Sequence, residues 1–184
     1  IAEIPGTTWP DQVVIVSAHL DSWNGPGSQG TTDNGTGSVV TLEAARILMA
    51  AKAKPKRTIR FVHWTGEEQG LLGSRYYTEH PTFPPGLIAA MINLDAGNVF
   101  GRTRDVTYVG FGKSSLDAVV TAAAAAQGRI VKGDQAPEKG SFYRSDQFNF
   151  ARIGVPAIYL DPGTEFVGEG AAAAKARQSS YDST

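Results

Sequence analysis

The fold of this chain is decided by residues 58–70, TIRFVHWTGEEQG, in which a predicted strand runs directly into two adjacent acids. The β-branched and aromatic residues over 58–64 are typical of a strand. Glu67 and Glu68 follow where that strand ends, and like charges at such close range raise each other's pKa. The pair is therefore costly unless a positive charge lies beside it, which predicts a cation-binding site at the mouth of the strand.

Strands alternate with helices on both sides of this segment. Apolar runs predict strands over 13–18, 87–94, 106–109 and 156–160, and periodicity with end signals predicts helices over 38–53, 71–79, 114–127 and 145–151. This alternation predicts an α/β fold: a three-layer sandwich with a central mixed, mostly parallel sheet flanked by helices.

Two helical segments differ in how clearly they indicate a buried face. The first helix has an apolar stripe expected to face the core, formed by Val39, Leu42, Ala45, Leu48 and Met49. The interval 164–184 favours helix but has no such stripe. We expect it to form either a solvated helix or no regular structure.

Composition limits the possible partners and ligands. The chain has 184 residues, enough for one domain, and a formal net charge of −1, which favours neither nucleic acid nor a membrane surface. No apolar run approaches the ~20 residues that span a bilayer. Cysteine is absent, so a metal would be bound by oxygen and imidazole, a ligand set that suits zinc, manganese or cobalt. The sequence starts at Ile1 without an initiator Met, so we expect a mature or excised piece of a longer protein.

Further polar side chains follow predicted strands or open the first helix: His19, Asp21, Asp33 and Asp95. Ligands in α/β sheets lie beyond the carboxyl ends of the strands, so we expect these groups to meet the Glu67–Glu68 pair there. Any one of them has an ordinary structural explanation, such as a turn or a helix cap. Their occurrence together predicts a cage for one or two divalent ions.

The chemistry of each side chain suggests its role in such a cage. His19 offers a neutral imidazole, and Asp33 has two oxygens that could bridge ions ~3.5–4 Å apart. Asp95 and Glu68 could each hold one ion.

Two acids are left for other roles in the cage. Asp21 could accept the second ring N–H of His19 and fix its tautomer. Glu67 would face a bound water as general base.

Other polar residues have less specific interpretations. His63 is expected to be a strand residue, and His80 a helix C-terminal residue favoured by the helix dipole. Arg144 and Asp146 precede a short predicted helix, which they could cap, or they could contact substrate.

Five motifs together resemble the co-catalytic zinc exopeptidases, a family that includes bacterial secreted aminopeptidases and the glutamate carboxypeptidases. They are HLDS (19–22), TDNGTG (32–37), GEEQGLLGS (66–74), NLD (93–95) and SDQF (145–148). PKRTIR (55–60) and WTGEEQG (64–70) are most similar to the plasma glutamate carboxypeptidase branch. The resemblance covers about residues 1–160, and the motifs are specific only as a set.

The resemblance implies a role for each residue. His19, Asp33 and Asp95 would hold the first zinc, while Asp33 and Glu68 would hold the second, with Asp33 bridging. Glu67 would be the general base. The resemblance also implies that Asp21 orients His19, that the Asp33–Asn34 peptide bond is cis, that the substrate is a peptide, and that the protein is secreted, periplasmic or extracellular.

The sequence departs from the family in one respect. The family completes its second metal with a histidine in a Tyr-His motif, whose tyrosine helps to stabilise the tetrahedral intermediate, but this chain has no histidine after His80 and Tyr181-Asp182 does not fit the motif. We therefore expect residues 1–184 to be a single zinc-peptidase catalytic domain, truncated before that motif. We also expect a complete first zinc site, a weak second site, and weak or no activity.

Three functions remain compatible with the sequence. The leading prediction is a zinc exopeptidase, either aminopeptidase or carboxypeptidase, which uses zinc-activated water and the Glu67 base. A glutaminyl cyclase has a similar fold with one zinc. A non-catalytic binding module on the same fold is the third possibility. The sequence leaves the side-chain specificity, the native metal and the oligomeric state open.

Overall fold

A computed structural model describes residues 1–168 and 170–182 of the chain. Among these residues, no helix is both long and apolar enough to cross a bilayer. The predicted helix or irregular segment over 164–184 contains a helix at Ala171–Asp182, called α5 below. Residues 169, 183 and 184 of that segment lie outside the described part of the chain.

One mixed sheet forms the centre of the protein. Within the described residues it has seven strands, which are β1 (Ala2–Ile4), β2 (Trp9–His19), β3 (Arg57–Trp64), β4 (Ile88–Leu94), β5 (Asp105–Val109), β6 (Ile130–Gly133) and β7 (Ala157–Pro162). Their order is β1-β3-β2-β4-β7-β5-β6. The four central strands β3, β2, β4 and β7 are parallel, whereas β1 and β5 run antiparallel to their neighbours β3 and β7. The predicted α/β sandwich with a mostly parallel sheet is confirmed, and the short edge strands β1 and β6 are additions to it.

Helices cover both faces of the sheet. Besides α5, they are α1 (Gly37–Ala50), α2 (Leu72–Glu79), α3 (Leu116–Ala126) and α4 (Gln147–Arg152). One core cluster joins Met91 of β4 to side chains of α2 and α4, and a second joins the adjacent residue Ile92 to α3. Successive side chains of a strand point to opposite faces, so α2 and α4 lie on one face and α3 on the other.

Aromatic packing fixes α2 and α4 on their face of the sheet. Trp64 ends β3, Tyr77 lies in α2, and Phe150 lies in α4 and is completely buried. The centroid of the Trp64 ring lies 5.4 Å from that of Tyr77 and 5.7 Å from that of Phe150. Because Trp64 lies three residues before Glu67, this core fixes the strand end from which the acid pair projects.

The apolar stripe predicted for α1 is wrong for three of its five residues. Val39, Leu42 and Met49 are 61–65% exposed, whereas Ala45 and Leu48 are half-buried. The buried positions of α1 are Gly37, Ser38 and Thr41.

The reason is a close approach of the start of the helix to the sheet. The Ser38 hydroxyl donates to the backbone carbonyl of His19, and a Cβ added at Gly37 would overlap the carbonyl oxygen of Leu94. Only small residues fit that contact, so Val39, Leu42 and Met49 lie on the outer face.

Replacing Phe150 by alanine should lower the free energy of unfolding by about 3–5 kcal/mol, because it removes a buried ring from the core that holds β3, α2 and α4 together. The matched control is Leu42→Ala on the exposed face of α1, which should change stability by less than about 1 kcal/mol. Urea unfolding followed by circular dichroism measures both. Equal losses in the two variants would contradict the assignment of buried and exposed faces.

Candidate active site

The predicted site residues lie at one edge of the sheet. β3, β2 and β4 are adjacent and parallel, so their carboxyl ends meet there. Potential ligand atoms form two groups, and in each group the atoms lie within 4.8 Å of one another. His19 belongs to both groups. One group contains Asp33 and Glu68, and the other contains Glu67 and Asp95. The structure thus brings together the four residues expected to bind metal and the glutamate expected to act as base.

His19 is the centre of this cluster. Its ring is completely buried, and its Nε2 atom lies 3.0 Å from Oδ1 of Asp33 and 3.0 Å from Oδ1 of Asp95. Burial lowers the pKa of His19, but the carboxylates of Asp33 and Asp95 beside Nε2 outweigh it and raise the pKa to about 11. In the absence of a metal, the imidazolium is therefore the positive charge that holds the carboxylates together.

Asp21 positions the site in a different way from the expected one. Its backbone carbonyl lies 3.1 Å from Nδ1 of His19, while its carboxylate is 3.8 Å from that atom. A carbonyl only accepts, so Nδ1 carries the proton and Nε2 keeps the lone pair when the ring is neutral. The carboxylate instead accepts the backbone N–H groups of Glu67 and Glu68, each at 3.1 Å. Asp21 therefore orients both His19 and the acid pair.

Asn34 joins the start of α1 to the end of β4. The Asp33–Asn34 peptide bond is cis, as the family resemblance implies. The Asn34 amide donates to the Leu94 carbonyl at 2.9 Å, and its oxygen accepts the N–H groups of Gly37 at 3.0 Å and Ala96 at 3.1 Å. This amide therefore holds Asp33 beside Asp95. The sequence analysis assigned Asn34 no contact of its own, although an Asn that directly follows the acid of a motif is a usable signal.

A chain of hydrogen bonds orients Asp95. The Ser145 hydroxyl donates to Oδ2 of Asp95, and Asn93 donates to Ser145 at 2.7 Å. The Ser17 hydroxyl in turn donates to Asn93 at 3.0 Å. Sequence reasoning missed these three supports. The available signal was that Ser17 and Asn93 are polar residues inside otherwise apolar strands.

Burial and crowding raise the pKa values of the acid pair. Glu67 is only 8% exposed, and burial followed by the charge of Asp95 raises its pKa to about 8. Burial and the charge of Asp33 raise the pKa of Glu68 to about 7. Oε1 of Glu68 is buried and has no hydrogen-bond partner among the described residues. Oδ1 of Asp33 is buried without a hydrogen-bond partner in the same way. An imidazole with four carboxylates, two of them with an unpartnered oxygen, is a donor set that fits zinc or a similar divalent ion.

Arg144 and Asp146, the two possible substrate contacts, differ in exposure. The Arg144 side chain is exposed and can reach a ligand from solvent. Asp146 is completely buried at the start of α4, so no surface of it is open to substrate, and we do not retain it as a contact. It makes no side-chain capping bond either. Burial raises its pKa to about 7, and the neighbouring Ser74 hydroxyl lowers it in part.

The other two histidines lie away from the cluster. His63 is a partly buried residue of β3, as predicted. His80 follows α2, is exposed, and stacks on Tyr76 with ring centroids 4.4 Å apart. Of the three histidines in the sequence, His19 is therefore the one available to a metal at this edge.

Tyr159 and Asp161, both in β7, add to the surroundings of the site and were not predicted. Tyr159 pairs with Asn93 across the sheet, and burial followed by the charge of Asp95 raises its pKa. Burial and the same aspartate raise the pKa of Asp161 to about 6. The concentration of negative charge around Asp95 thus extends to the neighbouring strand.

Some known proteins are similar to this chain in sequence, and others are similar in fold. "Carboxypeptidase Q" of Xenopus laevis is 51% identical over 81 residues, which cover 44% of this chain and 17% of that protein. The structure of an aminopeptidase from Aneurinibacillus sp. strain AM-1 superposes with a TM-score of 0.67 at 23% identity, covering 86% of this chain and 37% of the other. A glutaminyl cyclase from Porphyromonas gingivalis superposes with a TM-score of 0.58 at 23% identity, covering 80% and 56%.

These likenesses carry different weight. At 23% identity the two structural neighbours show the fold alone. The carboxypeptidase Q match is a match in sequence, but the matched residues span 17% of the length of that relative. The sequence profile of peptidase family M28 matches the whole chain, residues 1–184. This chain belongs to peptidase family M28.

Proposed function

We propose that residues 1–184 form one catalytic domain of a metal-dependent exopeptidase, which hydrolyses a terminal peptide bond with a glutamate as general base. The observation that carries this proposal is the cluster around His19, where four carboxylates converge on one buried imidazole. Membership in peptidase family M28 supports it. The location outside the cytoplasm that the resemblance implies stays a prediction.

The cluster supports an unequal pair of metal positions. His19, Asp33 and Asp95 are the ligands proposed for the first zinc, and the 3.0 Å approaches of both carboxylates to Nε2 favour this set. Asp33 and Glu68 are the ligands proposed for the second, with Asp33 shared. Because a zinc site ordinarily has at least three protein ligands, the second position is the weaker one.

Glu67 is the proposed base because of its position and its pKa. A zinc ion at this cluster would supply Lewis-acid chemistry and lower the pKa of a nearby water. Glu67 would take a proton from the attacking water and deliver it to the leaving amine. The backbone N–H of Glu67 donates to the Asp21 carboxylate, which fixes the backbone from which the Glu67 side chain extends. A pKa of about 8 in the metal-free protein lies near the value suited to proton transfer at neutral pH, and a nearby cation would lower it.

Arg144 is the proposed substrate contact. Its guanidinium is exposed directly before Ser145, which hydrogen-bonds to Asp95. A guanidinium can bind a carboxylate or a peptide carbonyl with two parallel hydrogen bonds. We propose that it holds the substrate beside the cluster.

Glutaminyl cyclase is the second candidate function. The observation that favours it is that the cluster offers three ligands for one zinc ion but two for the second, and a cyclase of similar fold uses one zinc. A cyclase would convert an N-terminal glutaminyl peptide without cutting the chain, whereas an exopeptidase releases a terminal residue. Incubation with Gln-Ala and Ala-Ala, followed by mass spectrometry, separates the two activities by the products formed.

Replacing Glu67 by Gln should lower kcat by about 10²- to 10⁴-fold, because the amide cannot accept the proton that the carboxylate takes. Zinc content should stay as in the wild type, since Glu67 is not among the proposed ligands. Glu79→Gln, at the end of α2, is the matched control and should leave kcat unchanged. Hydrolysis of dipeptides by Glu67→Gln at the wild-type rate would contradict the proposed role.

The protein should retain one zinc ion tightly and a second one weakly after dialysis against metal-free buffer. Asp33→Asn should weaken both positions because it removes the shared ligand, whereas Glu68→Gln should affect the second alone. Elemental analysis and zinc titration with a fluorescent chelator measure the two affinities. Two tightly held ions in the Glu68→Gln variant would contradict the ligand assignment.

The metal-free protein should be less stable at pH 8 than at pH 5. The folded state retains protons on Glu67 up to a pKa of about 8 and on Glu68 up to about 7, while the unfolded chain loses them near 4.5. The folded state then binds more protons across this window, so stability falls as pH rises. His19 acts in the same direction above its unfolded value of 6.5, because its folded pKa is raised to about 11.

Thermal unfolding in a chelator at several pH values measures this dependence. Zinc displaces the protons from the cluster, so zinc-loaded protein should lose the fall between pH 5 and 8. The double variant Glu67→Gln/Glu68→Gln should have a smaller fall than the wild type without metal. A metal-free melting temperature that rises toward pH 8 would overturn the electrostatic description of the cluster.

A further inference from the structure

The connection between β2 and α1 presents large apolar side chains to solvent beside the cluster. Leu20 is 68% exposed and Trp23 is 67% exposed. Both lie within two residues of Asp21, whose carbonyl and carboxylate orient His19 and the acid pair. Single exposed apolar residues are common on proteins, but an indole at the mouth of a charged cluster offers a large surface for a ligand to cover.

The loop that carries Trp23 is closed at its base. The Gly35 N–H donates to the Gly30 carbonyl at 2.7 Å, and the hydroxyls of Ser22 and Ser28 are 3.2 Å apart. Gly30 has a positive φ of 60°, and a Cβ at this position would come within 2.7 Å of the Ser22 side chain. The backbone that leads into Trp23 is therefore fixed by the contacts of Asp21 and by the close approach of Ser22 to Gly30.

A cavity lies within this loop and shares one residue, Asp33, with the cluster around His19. Its volume is about 670 Å³, and its lining includes Ser22, Trp23, Pro26, Gln29, Thr32 and Asp33. Asp33 is also the carboxylate proposed to bridge the two metal positions. A peptide held at the cluster would therefore have an adjacent side chain within reach of the cavity.

The lining of the cavity favours one class of side chain. Trp23 and Pro26 provide apolar surface, Ser, Thr and Gln side chains provide uncharged polar surface, and Asp33 is the charged residue among those that line it. With zinc bound, the proposed bridging role of Asp33 would offset its charge, which leaves the indole as the largest contact surface. An aromatic side chain can stack on the indole, a contact that adds to the gain from burial of apolar area.

We propose that Trp23 and the loop 22–33 form a substrate subsite that selects an aromatic side chain next to the scissile bond. This inference rests on the proposed exopeptidase function and adds a specificity-determining residue to it. Trp23 contacts the substrate side chain and takes no part in proton transfer.

The test uses the zinc-loaded chain, residues 1–184, and three phosphinic pseudodipeptides, Ala-Ala, Phe-Ala and Ala-Phe, in which a phosphinate replaces the scissile amide. Isothermal titration calorimetry measures their dissociation constants for wild type, Trp23→Ala and Trp23→Phe. One Phe analogue should bind wild type about tenfold more tightly than Ala-Ala, which corresponds to about 1.4 kcal/mol. Trp23→Ala should lose this preference, Trp23→Phe should keep most of it, and the Ala-Ala affinity should not change.

Trp9→Ala is the matched control. Trp9 is also exposed, at 42%, but it lies at the opposite end of β2 and stacks on Arg57 at 4.8 Å. His19 is ten residues further along the strand, a distance of about 30 Å. Its removal should leave all three affinities as in the wild type.

The outcomes separate the subsite from the underlying function. If the wild type binds all three analogues equally, or if Trp23→Ala keeps the preference for Phe, the subsite is overturned and the exopeptidase proposal stands. A Trp23→Ala variant that loses affinity for all three analogues equally would also overturn the subsite, because the loop would then act only as a structural support. If no analogue binds zinc-loaded wild type, both proposals fail.

Discussion

Mutual repulsion among the carboxylates of Asp33, Glu67, Glu68 and Asp95 is the constraint that shapes this protein. Four acids within reach of one buried imidazole destabilise the fold unless positive charge offsets them. His19 supplies that charge in the absence of metal, which explains why its pKa is raised to about 11 although burial alone would lower it. A divalent cation would supply it more effectively and would release the imidazole to act as a ligand. The same repulsion that weakens the metal-free protein therefore provides its affinity for metal.

The surrounding fold holds these charges in place with backbone and amide groups. The backbone carbonyl of Asp21 orients the His19 ring. The carboxylate of the same residue accepts the backbone N–H groups of Glu67 and Glu68. Asn34 fixes the beginning of α1 against the end of β4. The small residues of α1 follow from the same requirement, because Asp33 reaches Asp95 only if the helix lies close to the sheet. Stability and site geometry are thus coupled at Gly37 and Ser38.

The fold by itself does not determine what this chain does. Solved structures of an aminopeptidase and of a glutaminyl cyclase share the fold at 23% identity. Function depends on the side chains and loops that a fold carries. In this chain the β2–α1 loop carries an exposed indole and a cavity that reaches Asp33. In the proposed subsite, specificity would depend on Trp23 and its loop rather than on the residues proposed to bind metal.

The sequence alone determined the alternation of strands and helices and placed the acids of the cluster at strand ends or, for Asp33, before the first helix, because apolar runs and turn residues are local signals. It also identified the residues that converge at the cluster, since the carboxyl ends of parallel strands share one edge. Only the tertiary structure decided which face of α1 is buried, because a close contact with the sheet overrides apolar periodicity. It also decided that the Asp21 carbonyl orients His19, that Ser145 and Asn93 support Asp95, and that Asp146 is inaccessible. Each of these depends on a distance between segments far apart in the chain, which no local pattern encodes.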